Sequence, residues 1–368
     1  MGTLKTIPVA APQIGAEERA AVLAVLDSGQ LAQGPVVEAF EQEFAAWCGV
    51  SHAVAVNSGT AALHLLMLAH GFKEGDEIIT SPFTFVASAN AALFVGASPV
   101  FVDIEPETYC LDPELVEAAI TPRTRAVMPV DLYGHPAAID AIREITDRHG
   151  IVLIEDACQA HGAAIGGKRA GGFGVSASFS FYPTKNMTTA EGGMVTTPDV
   201  DLAAKVEVLR QHGAAHRYHH DLLGYNFRLT DIAAAIGRAQ LAKLDDFNAA
   251  RRRNASVLDE GLAGLSGVVT PRERPGFGHV YHQYTVRIEG DRDLFQQRLR
   301  ELGVGSAVHY AVPVHRQPLY MKLGYDTVSM PISERMADHV LSLPVHPSLS
   351  AADLDRIIDS VRKVAATA

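Results

Sequence analysis

The chain has 368 residues, 48% hydrophobic and 20% charged, which is typical of a soluble globular protein with about two domains. Its formal net charge of −11 disfavours a general nucleic-acid-binding surface, and no apolar run reaches the roughly 18 residues that a membrane span needs. Three widely spaced cysteines show no metal-binding spacing, and the N-terminus lacks a secretion signal. We therefore expect a cytoplasmic protein that binds neither nucleic acid nor membranes.

The first part of the chain alternates short apolar strands with longer helices. After an extended arm, helices are predicted at 17–28, 36–48, 60–69, 85–95, 113–120 and 137–149. The predicted strands are 53–57, 77–80, 99–103, 126–130 and 151–155. This alternation favours an α/β fold, with a mostly parallel sheet covered by helices on both faces.

The pattern changes after residue 155. A glycine-rich stretch at 162–174 precedes predicted strands at 177–181 and 194–197 and a helix at 199–211. A polar loop at 213–225 leads to predicted helices at 230–254 and 257–265. A strand at 281–288 and helices at 293–302 and 351–365 then indicate a smaller α+β domain. We expect a large domain at 1–250, which includes the N-terminal arm, and a small domain at 251–368.

One lysine stands where an alternating small and aromatic strand breaks at a proline. The segment SFSFYPTKN at 178–186 places Lys185 among aromatic and small polar residues, just before the pair Gly192 and Gly193. Poor solvation disfavours the charged amine, and a neutral lysine can form a Schiff base with a carbonyl. The alternative is an ordinary solvent-facing turn lysine.

Two further segments follow predicted strands. Ser58, Gly59 and Thr60 open a helix, whose free N–H groups suit a phosphate, although a plain serine cap explains the same residues. Asp156 follows the strand at 151–155, at the sheet edge where α/β proteins bind ligands. A lysine, an acid and a phosphate cradle together suggest pyridoxal phosphate (PLP).

Other ligand classes fit the sequence less well. The histidines at 212, 216, 219 and 220 lie in a loop without a zinc pattern, so no metal is expected. Residues 162–168 match the start of a P-loop, but Arg169 stands where Ser or Thr must hold magnesium. A nicotinamide dehydrogenase would carry a GxGxxG turn after its first strand, and this sequence has no such turn there.

These residues belong to a longer series of motifs that resembles the DegT-type nucleotide-sugar aminotransferases. That family consists of PLP enzymes with the aspartate-aminotransferase fold, fold type I, whose large domain holds a seven-stranded, mostly parallel sheet. The motifs span nearly the whole chain: GP at 34–35, SGTAAL at 58–63, PFTFVAS at 82–88, EDACQAHG at 155–162, FSFYPTKN at 179–186, EGG at 191–193 and GYNFRLTD at 224–231.

The resemblance implies a role for each matching residue. Lys185 would hold the cofactor as an internal aldimine, Asp156 would pair with the pyridinium nitrogen, and Phe85 would stack on the ring. Gln159 would lie near the ring hydroxyl. Gly59, Thr60 and Ser180 would bind the phosphate, which Asn226 would reach from the partner subunit of a homodimer with shared active sites. Relatives that remove a sugar hydroxyl carry histidine at the lysine position, so Lys185 favours transamination.

The acceptor is expected to be a nucleotide-linked keto-sugar. Its diphosphate needs positive or N–H-rich surroundings, and Arg217 and Arg228 are candidates by residue type. His309, Tyr310 and His315 fall in a segment that resembles the substrate-facing part of the family. Each of these five residues has an alternative interpretation as an ordinary loop or packing residue.

The sequence thus predicts ping-pong transfer of an amino group from L-glutamate to a 3- or 4-keto (deoxy)sugar nucleotide. Two alternatives remain open. One is amination of a keto-cyclitol of the scyllo-inosose type, as in an aminoglycoside-like pathway. The other is a non-catalytic PLP-binding regulatory protein, which the combination of Lys185, Asp156 and Asn226 disfavours.

Overall fold

Short strands alternate with longer helices through the first half of the chain in the computed structural model, which describes residues 6–216 and 218–367. The helices are α1 (Ala16–Ser28), α2 (Pro35–Cys48), α3 (Gly59–Ala69), α4 (Ala87–Phe94), α5 (Pro113–Ala119), α6 (Ile139–His149), α7 (Val200–Arg210), α8 (Asp231–Leu241), α9 (Leu244–Leu262), α10 (Arg292–Glu301), α11 (Pro318–Lys322), α12 (Pro331–His339) and α13 (Ala351–Ala365). The strands are β1 (His52–Val56), β2 (Glu77–Thr80), β3 (Ser98–Phe101), β4 (Thr124–Met128), β5 (Val152–Asp156), β6 (Ala164–Ile165), β7 (Lys168–Arg169), β8 (Ser176–Ser180), β9 (Gly193–Thr197), β10 (Ala214–His216), β11 (His219–His220), β12 (Val268–Val269), β13 (Phe277–Gly278), β14 (Tyr284–Ile288) and β15 (Val340–Leu343).

Seven strands form the central sheet in the order β1-β9-β8-β5-β4-β2-β3. The pairs β8–β5, β5–β4, β4–β2 and β2–β3 are parallel, whereas β9 is antiparallel to both of its neighbours. The predicted α/β fold with a mostly parallel sheet is confirmed. Because six strands run in one direction, the segments that follow β1, β2, β4, β5 and β8 all leave the sheet at the same edge.

The core consists of two apolar layers, one on each face of the sheet. Along β1, Ala53 and Ala55 belong to the layer that α2 covers, while Val54 and Val56 belong to the layer of α3 and α7. This alternation follows from the period of two in a strand, in which successive side chains point to opposite faces. Because helices cover both faces, the residues of β1, β2, β5, β8 and β9 are buried almost without interruption.

The smaller unit packs helices against a three-stranded antiparallel sheet in the order β12-β14-β15. Its core joins α9, α10 and α13 to this sheet, and it also includes Ile7 from the N-terminal arm. The backbone of Ile7 pairs with Gly303 and Gly305 at 3.0 and 2.8 Å. The predicted domain boundary near residue 250 lies inside α9, and it stays a prediction.

Several predicted elements differ from the structure. The expected helix at 230–254 is interrupted between α8 and α9, at Ala242 and Lys243, and the expected break after residue 254 is absent because α9 continues to Leu262. The expected loop at 213–225 contains the short hairpin β10–β11, and α11, α12 and β15 were not predicted. Within the described residues, no helix is both long and apolar enough to cross a membrane.

Candidate active site

A cleft of about 490 Å³ opens at the edge of the sheet where the parallel strands end. Seven of the eight predicted cofactor residues, all but Asn226, line this cleft, and so do two of the predicted substrate residues. The nine are Gly59, Thr60, Phe85, Asp156, Gln159, Ser180, Lys185, His309 and Tyr310. A larger groove of about 880 Å³ lies among α1, α2 and α8 and contains none of the predicted residues. The smaller cleft is therefore the candidate active site.

Lys185 follows β8 at a tight turn. Its backbone N–H donates to Tyr182 O at 2.9 Å, and Phe181 N donates to Gly192 O at 2.8 Å, which closes the loop below the lysine. Burial lowers the pKa of the Lys185 amine, while the nearby Cys158 and Asp156 act in the opposite direction. This desolvation is the property that the aromatic surroundings predicted, and it does not fit a solvent-facing turn lysine.

Asp156 ends β5, the central strand of the sheet, with only 2% of its surface exposed. Its Oδ2 accepts a hydrogen bond from Ser88 Oγ at 2.7 Å, and its Oδ1 accepts one from Cys158 N at 3.2 Å. Both carboxylate oxygens are thus held in place. A buried carboxylate with donors on both oxygens can face a cationic ring nitrogen in a fixed orientation.

The N-terminus of α3 approaches β8 closely. Ser58 Oγ caps the helix by accepting from Ala61 N at 3.1 Å, and Ser58 O accepts from Ala62 N, also at 3.1 Å. A Cβ atom on Gly59 would lie 2.7 Å from Ser180 Cβ, so only glycine allows this approach. The first N–H groups of α3 and the side chain of Ser180 form a cradle of the size and polarity that a phosphate requires.

Gln159 connects this edge of the sheet to the segment at 306–310. Its Oε1 accepts from Tyr133 N at 3.0 Å, and its Nε2 donates to Tyr310 Oη at 3.1 Å. The Tyr133 hydroxyl in turn donates to the carbonyl of His309.

Burial lowers the pKa of His309 to about 4, with Lys185 adding to the effect, so this imidazole is neutral near pH 7. The Phe85 ring, which is 55% exposed, lies 6.4 Å from the Tyr310 ring.

The structure does not bring every predicted residue into the cleft. His315 is fully buried and contacts Glu334 Oε1 at 2.9 Å, so it faces away from the cleft. Asn226 is exposed. Arg228, two residues further on, forms an isolated antiparallel β-bridge with Val56 through its backbone. Neither residue lines the cleft. Arg217 lies outside the described residues.

Other residues line the cleft although the sequence analysis did not single them out. Thr84 and Ser88 fall inside the quoted motif at 82–88, so their position in that motif was an available signal. Burial and the nearby cations hold the pKa of His282 well below its usual range, and its Nδ1 is buried without a hydrogen-bond partner among the described residues. No sequence motif indicated His282, because only the fold brings the start of β14 to this cleft.

Metal binding was the alternative interpretation for the histidine-rich loop. In the described ranges, no group of three or more His, Cys, Asp or Glu side chains has the arrangement of a metal site. His216, His219 and His220 lie on the exposed hairpin β10–β11.

The residues of the cleft fit pyridoxal phosphate. A desolvated lysine, a fixed carboxylate and a helix N-terminus without a Cβ at Gly59 lie around one cavity. These are the groups that the aldehyde, the ring nitrogen and the phosphate of this cofactor require. An α/β sheet with this site at its carboxyl edge defines a PLP-dependent enzyme.

Comparisons with known proteins give the family. The model of the DegT/DnrJ/EryC1/StrS aminotransferase family matches residues 12–362. The chain is 46% identical over 352 residues to dTDP-3-amino-3,4,6-trideoxy-alpha-D-glucose transaminase of Streptomyces venezuelae, covering 95% of this chain and 93% of the relative. It is 43% identical to GDP-perosamine synthase of Caulobacter vibrioides, with 99% and 100% of the two chains covered.

Solved structures agree with this assignment. S. venezuelae DesV in complex with a ketimine intermediate superposes with a TM-score of 0.93 at 46% identity, over 95% of this chain and 94% of DesV. The PLP form of Spr1654 from Streptococcus pneumoniae gives a TM-score of 0.94 at 29% identity, over 98% and 99% of the chains. The chain belongs to the DegT/DnrJ/EryC1/StrS aminotransferase family. It is an aminotransferase, and its cofactor is pyridoxal phosphate.

Proposed function

We propose that the enzyme moves an amino group from L-glutamate to the keto group of a nucleotide-linked keto-sugar, in two half-reactions that share one cleft. The observation that carries this proposal is that Lys185, Asp156 and the Gly59 end of α3 line one cavity of about 490 Å³. The cofactor, when bound, supplies an electron sink that makes the proton on the amine-bearing carbon removable.

The residues of this chain have separable roles in the proposal. Lys185 Nζ would hold the cofactor, and its amine, when free, would carry a proton as general base and acid. Its lowered pKa suits this task, since a larger fraction of the amine is neutral near pH 7. Asp156 would pair with the ring nitrogen, Phe85 would cover the ring, and Gln159 would contact the ring hydroxyl. Gly59, Thr60 and Ser180 bind the phosphate.

The names of relatives support the acceptor class. One relative is named for a dTDP-linked 3-amino sugar and another for GDP-perosamine, so sugar nucleotides with different bases occur in the family. His309 and Tyr310 line the cleft beside Lys185 and are the proposed sugar contacts. We keep Arg228 and Arg217 as proposed contacts of the diphosphate. His315 is not part of the proposal because it is buried against Glu334.

The proposed active unit is a homodimer. Phe85 and Tyr182, which line the cleft, are 55% and 48% exposed, and Leu223 next to the GYNFRLTD segment is 84% exposed. Large apolar side chains at the mouth of a site favour a covering partner. In this arrangement Asn226 would reach the phosphate in the other subunit.

A cytoplasmic location is also proposed, since Cys48, Cys110 and Cys158 are free thiols.

The central test is Lys185→Ala. We expect the variant to lose turnover and the absorption band of the lysine-bound cofactor, because no other amine replaces Nζ at the aldehyde. Borohydride reduction of the wild-type holoenzyme should fix the cofactor on Lys185, which peptide mass spectrometry locates. Lys168→Ala, on the exposed strand β7, is the matched control and should behave like wild type. Full activity of Lys185→Ala would refute the proposal.

The acceptor is tested by converting the enzyme to its pyridoxamine form and adding candidate ketones. A keto-sugar nucleotide should restore the original cofactor absorption, whereas a keto-inositol should not. The reverse result would favour the keto-cyclitol alternative. Cofactor that binds but never cycles with any amino donor would favour a regulatory role, a possibility raised by a relative of Geobacillus stearothermophilus named pleiotropic regulatory protein.

A further inference from the structure

Two buried hydroxyl groups form a hydrogen-bonded chain that ends on the carboxylate of Asp156. Ser88 Oγ donates to Asp156 Oδ2 at 2.7 Å, and Thr84 Oγ1 lies 3.1 Å from Ser88 Oγ. Ser88 and Thr84 are only 2% and 3% exposed. We call this pair the hydroxyl relay.

Chemistry fixes the direction of the hydrogen bonds in the relay. An ionised carboxylate only accepts, so the single hydroxyl hydrogen of Ser88 must point at Asp156. Ser88 Oγ is then left as an acceptor, and Thr84 must donate to it. Each hydroxyl polarises the next, so the bond that reaches the carboxylate is strengthened.

The surroundings of Asp156 explain why such a relay is useful. The titratable groups that act on it or respond to it are Asp131, Cys158, Lys185 and Tyr310. Burial and the neighbouring carboxylates Glu155 and Asp156 raise the pKa of Asp131. Hydrogen-bond donors on its oxygens compensate the burial of such a carboxylate and fix its orientation.

We propose that Ser88, supported by Thr84, is a positioning residue that holds the carboxylate of Asp156 in one orientation, toward the nitrogen of the cofactor ring. This inference rests on the proposed role of Asp156. The second oxygen is already fixed by Cys158 N at 3.2 Å, so loss of Ser88 releases one oxygen and leaves the other bound. The effect of Ser88 is therefore electronic and orientational, and it differs from the loss of the acid itself.

The experiment compares wild type, Ser88→Ala, Ser88→Thr, Thr84→Val and Asp156→Asn as holoenzymes. The readouts are kcat and KM over pH, the absorption of the bound cofactor over pH, and the affinity of the apoenzyme for PLP. Ser88→Ala should lower kcat by about tenfold to a hundredfold, the cost typical of one charge-assisted hydrogen bond. The absorption profile of its bound cofactor over pH should also change, because one oxygen of Asp156 is no longer held toward the ring nitrogen. Ser88→Thr should restore the profile, and Thr84→Val should shift it less.

Ser333 provides a matched control. Its Oγ donates to Asp103 Oδ1 at 2.6 Å, both residues are buried, and neither lines the cleft. Ser333→Ala should reduce thermal stability while leaving the pH profile, the cofactor spectrum and PLP affinity unchanged. This separates the loss of a buried serine–aspartate bond from an effect on the cofactor.

The two proposals fail in different ways. If Asp156→Asn is defective but Ser88→Ala keeps the wild-type kcat, cofactor spectrum and PLP affinity, the relay proposal is overturned while the proposed function stands. If Ser88→Ala loses only stability, as Ser333→Ala does, the relay proposal is likewise overturned. Wild-type behaviour of Asp156→Asn would overturn both.

Discussion

At Gly59, a single missing carbon atom decides whether helix α3 and strand β8 can meet. A Cβ there would lie 2.7 Å from Ser180 Cβ, 3.2 Å from Ser180 Cα and 3.1 Å from Cys158 Sγ. Two of these atoms belong to or adjoin the backbone of β8, which cannot give way cheaply inside a sheet. The glycine therefore brings the free N–H groups of the helix to the end of the strand that leads to Lys185.

Gly59→Ala should weaken cofactor binding more than it weakens the fold. We expect the Kd of PLP to rise about tenfold or more, because the added methyl group displaces the helix from β8 by a few tenths of an ångström and opens the phosphate cradle. The Kd is measured by cofactor titration of the apoenzyme. Gly278→Ala is the control: its nearest atom would be at an ordinary 3.5 Å, and it lies on β13 outside the cleft. Unchanged PLP affinity in Gly59→Ala would contradict this view of the cradle.

At this scale, the sequence predicts a site residue where the residue type and its position together have one chemical use. A desolvated lysine, an acid at a strand end and a glycine–threonine helix start could be recognised in SFSFYPTKN, EDACQAHG and SGTAAL. Ser88 and His282 could not be recognised in this way, since serine and histidine have many structural uses. Their contribution depends on which atoms the fold places beside Asp156 and Lys185.

At the scale of elements, helix α2 depends on a side chain from a distant part of the chain. Its N-cap is Gly34, which has no side chain to accept hydrogen bonds from the first turn. Asp231, at the start of α8, accepts from Gly34 N at 2.8 Å, Val37 N at 3.0 Å and Val36 N at 3.4 Å. A Cβ on Gly34 would lie 2.8 Å from Asp231 Oδ2, so glycine is needed for the carboxylate to approach.

Asp231→Ala should destabilise the protein by about 2–4 kcal/mol, because a buried helix end loses the acceptor of three N–H groups and the negative charge that favours its dipole. Asp231→Asn keeps one oxygen and should cost less. Asp199 is an ordinary local cap of α7, and Asp199→Ala should cost only about 1 kcal/mol. Urea unfolding of the three variants measures the order. A smaller effect for Asp231→Ala than for Asp199→Ala would contradict the capping role.

Elements with a strong local pattern were predicted closely, and the others depend on tertiary contacts. Strand β2 and helix α13 match their predicted bounds, Glu77–Thr80 and Ala351–Ala365. In α13 the apolar residues recur at helical spacing, at Leu354, Ile357, Ile358, Val361 and Val364. The break between α8 and α9 falls at Ala242 and Lys243. Because neither is a glycine or a proline, the sequence carries no local signal for this break. It arises because α8 packs on α1 and α2, whereas α9 turns away to join the core of the smaller unit.

At the scale of the whole molecule, an unusual number of histidines are buried away from water. Burial lowers the pKa of His70 and His309 to about 4 and that of His161 to about 3. It also lowers the pKa of six others: His64, His135, His279, His282, His315 and His346. Each imidazole stays neutral in the folded chain at a pH at which the unfolded chain already binds a proton.

The sign of the resulting pH dependence follows directly. A histidine whose folded pKa lies below its unfolded value of 6.5 contributes its full stability above pH 6.5 and loses it as the pH falls toward the folded value. The free energy of unfolding should therefore fall steeply between about pH 6.5 and pH 4. The composition alone could not predict this, because the 16 histidines of the sequence do not reveal which of them are buried.

His70 isolates one part of this effect outside the active site. It packs on the Phe72 ring and contacts Ser176 Oγ at 3.0 Å, and burial, with Lys205 nearby, lowers its pKa from 6.5 to about 4. His70→Gln should remove about one proton from the uptake on unfolding between those pH values. The loss in free energy of unfolding on going to pH 4 should therefore be smaller than in wild type, by on the order of 3 kcal/mol. Urea unfolding at several pH values measures the slope. Equal slopes for wild type and His70→Gln would show that the imidazole at 70 takes up its proton without unfolding, contrary to the expected link between burial and acid sensitivity.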